Sequence, residues 1–179
     1  MDEIKRRQSL VSQWGRVEEY KVVEILLSDD EIKNNCEIGS PHKVLTSEER
    51  KLLQIDYRIG KEEIDADLVV LERSSRKILC VISVKKSFRE RGAQTAYWAV
   101  KVRNDPEKEY KYILVTPDVD KELYNENNPF KRRKWRVILP YECDAVFVVS
   151  YEGKVFEDDN FYVGKDYLIK YVKKLLKHP

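Results

Sequence analysis

Two apolar runs separated by a short polar turn constrain this chain more than any other feature. Ile64-Asp65-Ala66-Asp67-Leu68-Val69-Val70-Leu71 and Ile78-Leu79-Cys80-Val81-Ile82-Ser83-Val84-Lys85 flank a polar centre at Ser74-Ser75, the pattern of a β-hairpin. Both runs are apolar at odd and even positions alike, so both faces of the strands must be covered. That places them centrally in a sheet with helices on each side, an α/β arrangement.

The remaining elements are predicted around this hairpin. From about residue 4 to Leu27, Leu10, Trp14, Val17, Val22, Ile25 and Leu26 recur at spacings near three and four, giving a long amphipathic helix with Gly15 as a candidate bend. Residues 28–45 read as a polar connection with one short helical turn. Thr46-Ser47-Glu48-Glu49 is a capping box that opens a helix. Phe88 to Val102 has helical spacing, Tyr110 to Thr116 is a third strand, Pro117-Asp118-Val119-Asp120 opens another helix, Ala145 to Ser150 is a strand, and a helix from about Gly164 to Lys177 closes the chain. The sum is a central mixed β-sheet of about four to five strands flanked by helices. It forms one domain over 1–179: a helical part at 1–55, a sheet core at 64–150 and a final helix at 164–177.

Composition narrows the chemistry. At 179 residues and 42% hydrophobic, the chain can bury one substantial core. It has no apolar run of the roughly 18–20 residues that a membrane span needs, and Met-Asp-Glu-Ile-Lys-Arg-Arg lacks the apolar centre of a secretory signal, so a soluble intracellular protein is expected. Cys36, Cys80 and Cys143 are odd in number and form no CxxC pair, which argues against a disulfide framework or a zinc ribbon. His42 and His178 are the only histidines, too few for a multi-histidine metal site or a histidine triad. Chemistry must come from carboxylates, lysines and a metal. Net charge is only +2, but basic residues cluster at 85–91, at Lys131-Arg132-Arg133-Lys134-Trp135-Arg136 and at 165–177, where nucleic acid or plain solvent could meet them.

With the turn centred on Ser74-Ser75, residues whose numbers sum to about 150 lie opposite one another. Asp67 then faces Ser83 and Asp65 faces Lys85, and period two puts all four on one face at one end of the strands. Two readings are open: charges pairing across a strand end, or a site for a hard cation such as Mg2+ with a charge-stabilising amine beside it. Directly downstream, Arg89-Glu90-Arg91 suits the reading of adjacent G·C pairs. Arginine forks match guanine O6 and N7, and a carboxylate accepts from cytosine N4. The alternative is a solvated charge cluster.

Asp67…Ser83-Val84-Lys85 with Ser87-Phe88-Arg89-Glu90-Arg91 resembles the PD-(D/E)XK nuclease superfamily, and within it the type II restriction endonucleases that cut sites built on CC…GG. The similarity covers residues 64 to about 103. It implies a restriction-endonuclease-like core in which Asp67, or Asp65 as the alternative, holds Mg2+ and Lys85 is the catalytic lysine. Ser83 stands where most of the superfamily has an acid. The subgroup shares that serine and supplies the acid from about thirteen residues after the lysine, where this chain has Trp98, with Gln94 nearby. Glu49 is the first choice for the missing ligand, ahead of Glu62 and Glu63. The resemblance further assigns Arg89 and Arg91 to guanines, Glu90 to cytosines, and Lys86, Ser87, Arg132, Arg133 and their basic neighbours in 131–136 to the DNA backbone; Trp98 and Trp135 are expected in the core. The implied activity is Mg2+-dependent cutting of both strands of double-stranded DNA at a G·C-containing palindrome. The implied setting is a homodimer in the prokaryotic cytoplasm, with a cognate DNA methyltransferase. The alternatives are a Holliday-junction resolvase or repair nuclease of the same superfamily, and a DNA-binding protein without catalysis.

Overall fold

The apolar hairpin forms the second and third strands of a mixed sheet that counts seven strands among the described residues, 16–88 and 91–177 of a computed structural model. In chain order the elements are α1 (16–27), α2 (Asp30–Asn35), β1 (Cys36–Gly39), α3 (Pro41–Val44), α4 (Ser47–Arg50), a 3-10 turn (Lys51–Leu53), β2 (Gln54–Asp56), β3 (Lys61–Glu63), β4 (Leu68–Glu72) and β5 (Ile78–Val84). Then follow α5 (Gly92–Arg103), β6 (Lys111–Thr116), α6 (Lys134–Glu142), β7 (Ala145–Val148), β8 (Phe156–Asp158), β9 (Phe161–Val163) and α7 (Lys165–Lys177). The sheet order is β1-β4-β5-β6-β7-β9-β8; β2 and β3 make a separate antiparallel pair.

The β4–β5 register has Leu68 opposite Ile82, Val69 opposite Val81 and Val70 opposite Cys80, each pair summing to 150 as predicted; a bulge then brings Leu71 opposite Ile78. All seven residues of β5 are buried, because it is paired on both edges and covered on both faces. The strands from β5 through β6, β7 and β9 run parallel. Ala99 and Val102 of α5, Leu139 of α6 and the 117–124 loop, through Leu123 and Tyr124, cover one face. On the other, Val22 and Leu26 of α1, Ile32 of α2, and Leu168 and Val172 of α7 do so.

The structure departs from the sequence reading at several elements. The sheet is wider than four to five strands: it gains β1 from the supposed connection at 28–45 and the β8–β9 hairpin, and so reaches beyond 64–150 at both ends. The capping box at Thr46 is present, with Glu49 N–H donating to Thr46 Oγ1 and Thr46 N–H to Glu49 Oε2, but α4 lasts one turn before the chain extends into β2. No helix starts at Pro117. Asp118 takes a positive φ of 49°, and its buried carboxylate accepts the backbone N–H groups of Glu122, Leu123 and Tyr124, which ties a loop in place of a helical turn. The unforeseen α6 carries Pro140 inside its last turn, where the ring removes the N–H that would otherwise bond the Arg136 carbonyl. α5 begins at Gly92 and not at Phe88, whose N–H is taken by Asp120 (2.9 Å). The part of the first helix before residue 16 lies outside the described residues. Among the described residues no helix is long and apolar enough to cross a membrane.

Candidate active site

Lys85 leaves the end of β5 with its N–H held by the Val115 carbonyl of β6 at 3.2 Å. The residue is 4% exposed, and its Nζ lies 3.1 Å from Asp65 Oδ2 and 3.0 Å from Asp67 Oδ2. At an effective dielectric near 20, each such contact has a gross attraction of about 5 kcal/mol, which offsets much of the cost of taking an ammonium out of water. The backbone fixes the acids as firmly. Asp67 N–H donates to Ile82 O (3.0 Å), Val84 N–H donates to Asp67 Oδ2 (2.6 Å), and the Tyr112 hydroxyl donates to the Asp65 carbonyl (3.0 Å). Both acids precede β4: the continued hairpin pairing brings Asp67 beside Lys85, and Tyr112 of β6 holds Asp65 there. Ser83, on the same face, is fully buried.

A third carboxylate arrives from outside the hairpin. Glu19 on α1 is half-buried; burial first, and then the Asp67 charge, push its carboxyl up, against the pull of Lys85, Arg16 and Lys43. Glu19 shares with Ser40, His42, Glu63, Asp65 and Asp67 an open cleft of about 460 Å³. The sequence reading missed it, although the apolar stripe of the first helix fixes which residues point away from the core. Glu49 is elsewhere. Its carboxylate receives Arg76 Nη2 at 2.7 Å and Arg76 Nε at 2.9 Å, at the β4–β5 turn and therefore at the far end of the strands from Lys85. Arg76 and the Thr46 cap hold the Glu49 carboxyl down to about 2. Glu63 lines the cleft but is bound by Arg50 at 2.7 Å, and Glu62 does not line it.

Among the described residues no three His, Cys, Asp or Glu side chains converge closely enough to enclose a metal. Asp65 and Asp67 side by side in an open cleft are nevertheless a donor set that suits Mg2+, which keeps several waters and takes one or two carboxylates. A larger cleft of about 830 Å³ lies at the opposite end of β6, where Lys111 pairs with Asp144 and Arg103 with Glu142.

The basic residues divide. Lys86, Ser87 and Arg91 are exposed just beyond Lys85; Arg89 and Glu90 lie outside the described residues. Lys131 to Lys134 are exposed ahead of and at the start of α6, with Arg132 pairing Asp158 (2.8 Å) and Arg133 pairing Glu122 (3.1 Å). Arg136 is not available to a phosphate: it is 4% exposed, donates to Asp158 at 2.8 Å and sits 3.6 Å from the Phe161 ring centroid. Trp135 and Trp98 are half-buried and pack against the core. Trp98 meets Tyr97 edge-on at 5.0 Å, and Gln94 is exposed.

The family model described as BsaWI restriction endonuclease type 2 matches residues 44–171. MjaVIP of Methanocaldococcus jannaschii, named as a type II restriction enzyme, is 32% identical over 155 residues, covering 78% of this chain and 69% of that protein. A Helicobacter pylori protein with the same kind of name is 33% identical over 135 residues, covering 70% and 69%. The crystal structure of BsaWI in a pre-specific complex with DNA has the same fold. Its TM-score is 0.56 at 14% identity, over 98% of this chain and 68% of that one.

Proposed function

Because this chain belongs to the BsaWI family of type II restriction endonucleases, we propose that it cuts both strands of duplex DNA at a G·C-containing palindrome of the CC…GG kind, through a Mg2+-dependent centre of the PD-(D/E)XK type. The observation that carries the reading is the Lys85 amine set between Asp65 and Asp67 at the end of two rigid central strands. In this reading Asp67 and Asp65 hold Mg2+, with Glu19 as the added carboxylate. Bound there, the ion supplies Lewis-acid chemistry and lowers the pKa of water. Lys85 orients the attacking water and offsets the negative charge that builds on the phosphate. Hydrolysis leaves 5′-phosphate and 3′-hydroxyl ends.

Arg89, Glu90 and Arg91 read the bases in the major groove. Lys86, Ser87, Arg132 and Arg133 meet the sugar-phosphate backbone and set the register without reading sequence. One chain brings one centre, so cutting a palindrome in both strands calls for a two-fold homodimer. A DNA methyltransferase of matching specificity would protect the host.

The test is digestion of long DNA of known sequence with Mg2+, beside Lys85→Ala, with the ends mapped. Discrete fragments from two-fold symmetric G·C-containing sites are expected. The variant should cut about 10²–10⁴-fold more slowly and still shift DNA in a gel. Junction-only cutting or a smear would replace this reading with a resolvase or repair nuclease. Site-specific binding without cutting would replace it with a DNA-binding protein.

A further inference from the structure

The exposed residues beyond Lys85 and the basic segment before α6 are joined by one unusually close contact. Gly92 is buried at the first position of α5, and a Cβ there would fall 2.5–2.7 Å from three atoms of the Trp135 indole. Side chains do not approach that closely, so the ring lies on bare backbone and only glycine permits it. Arg91, the preceding residue, is exposed, while its carbonyl accepts both the N–H and the hydroxyl of Thr95 at 3.1 Å each. Thr95 is fully buried. The Arg91 backbone is therefore fixed from the helix side by Thr95 and from outside, through Gly92, by the indole.

Trp135 is itself anchored. Its neighbour Arg136 is inserted between Asp158 and the Phe161 ring, and Asp158 also receives Arg132. At the other end of the same helix pair, Arg103 donates to the Tyr141 carbonyl (2.9 Å) and to Glu142 (2.6 Å). α5 and α6 are thus clamped at both ends.

We infer that Trp135 is a positioning residue for sequence discrimination, holding Arg91 through Gly92 at a fixed offset from the exposed basic residues Lys131 to Lys134. The inference rests on the proposed base-reading role of Arg91. A bidentate arginine–guanine pair needs its donors aligned along two parallel hydrogen bonds, whereas a lysine meets a phosphate as a point charge and tolerates displacement. Slack at Gly92 should therefore harm discrimination before it harms binding.

The experiment measures cleavage of the cognate site and of sites changed at one G·C pair, by wild type, Trp135→Ala, Trp135→Phe, Gly92→Ala and the Trp135→Ala/Gly92→Ala double variant, with melting curves for each. The expected result is a fall of about tenfold or more in the cognate-to-changed ratio for Trp135→Ala and for Gly92→Ala. Nonspecific DNA affinity should hold, the phenylalanine should recover most of the ratio, and Gly92→Ala should add little in the Trp135→Ala background, the non-additivity of a shared contact. Should Trp135→Ala fail to fold, Gly92→Ala and Trp135→Phe carry the comparison. An unchanged ratio in folded variants, or additive effects, overturns the inference alone. Wild-type protein that shows no site preference overturns the functional reading as well.

Discussion

Lys85, Asp65 and Asp67 form a group whose members each answer for the others' burial, so its single residues can be tested against one another. Binding of Mg2+ to the folded state alone raises stability by mass action. Millimolar Mg2+ should raise the melting temperature of the wild type and leave Asp67→Asn where it was, as differential scanning fluorimetry would register. Glu19 offers a test through pH. Its folded value is pushed up by burial and by Asp67, so the stability linked to it is whole below the unfolded value near 4.3 and is lost as pH rises through the folded one. Without divalent ions, Glu19→Gln should melt together with wild type at about pH 4 and above it at pH 7. Calorimetry showing parallel curves at both pH values would remove Glu19 from the electrostatics of the cleft.

The two ends of the hairpin differ: the end at Lys85 carries the chemistry in the proposed reading, and the end at Arg76 is a fastening. Arg76 reaches Glu49, Glu37 (2.9 Å) and the Val44 carbonyl (3.0 Å), binding the turn to β1, α3 and α4. Glu49 is held down to about 2 by Arg76, so its contribution is present above its unfolded value and is lost as pH falls toward 2. Glu49→Gln should cost about 1 kcal/mol at pH 7 after allowance for solvent screening, lose that cost near pH 2, and leave the cleavage rate intact. A variant that folds but does not cut would return Glu49 to the chemistry. At the joint between β9 and α7, Gly164 has φ of +118°, and a Cβ there would fall 1.8 Å from the Gly153 carbonyl oxygen. Gly164→Ala should destabilise by about 3 kcal/mol or more, against about 1 for Gly153→Ala, which has open space; urea titration distinguishes them. The register of β4 and β5 was legible because the polar centre at Ser74-Ser75 marks the turn from which the pairing is counted, with Asp65, Asp67, Ser83 and Lys85 as polar residues of one face. What escaped the sequence depends on partners far along the chain. β8 and β9 are three residues each, too short to show a period, and Glu19 comes to the cleft of Asp67 only because α1 packs on the sheet through Val22 and Leu26. Glu49 read as a spare acid because nothing local reveals Arg76.

On the proposed reading, one cleavage centre per chain would set how two copies share a palindrome. If two copies act on one palindrome, mixing wild type with excess Lys85→Ala should turn linear plasmid product into nicked circles, since each mixed dimer cuts one strand; gel analysis of a supercoiled plasmid follows both forms. Loss of both products in proportion would instead mean independent monomers. The outermost strands bear on how such copies meet. β1 has four residues and runs straight into Ser40-Pro41, and β8 has three, two of them Glu157 and Asp158. Short, charged or proline-stopped borders are poor templates for strand addition, which leaves helices and loops to make any two-fold contact. If the partner is a second copy, as proposed, it is met throughout the protein's life, from the ribosome onward. With its margins closed in this way, the sheet can be concentrated, crowded and partly loosened without neighbouring molecules zipping into fibres.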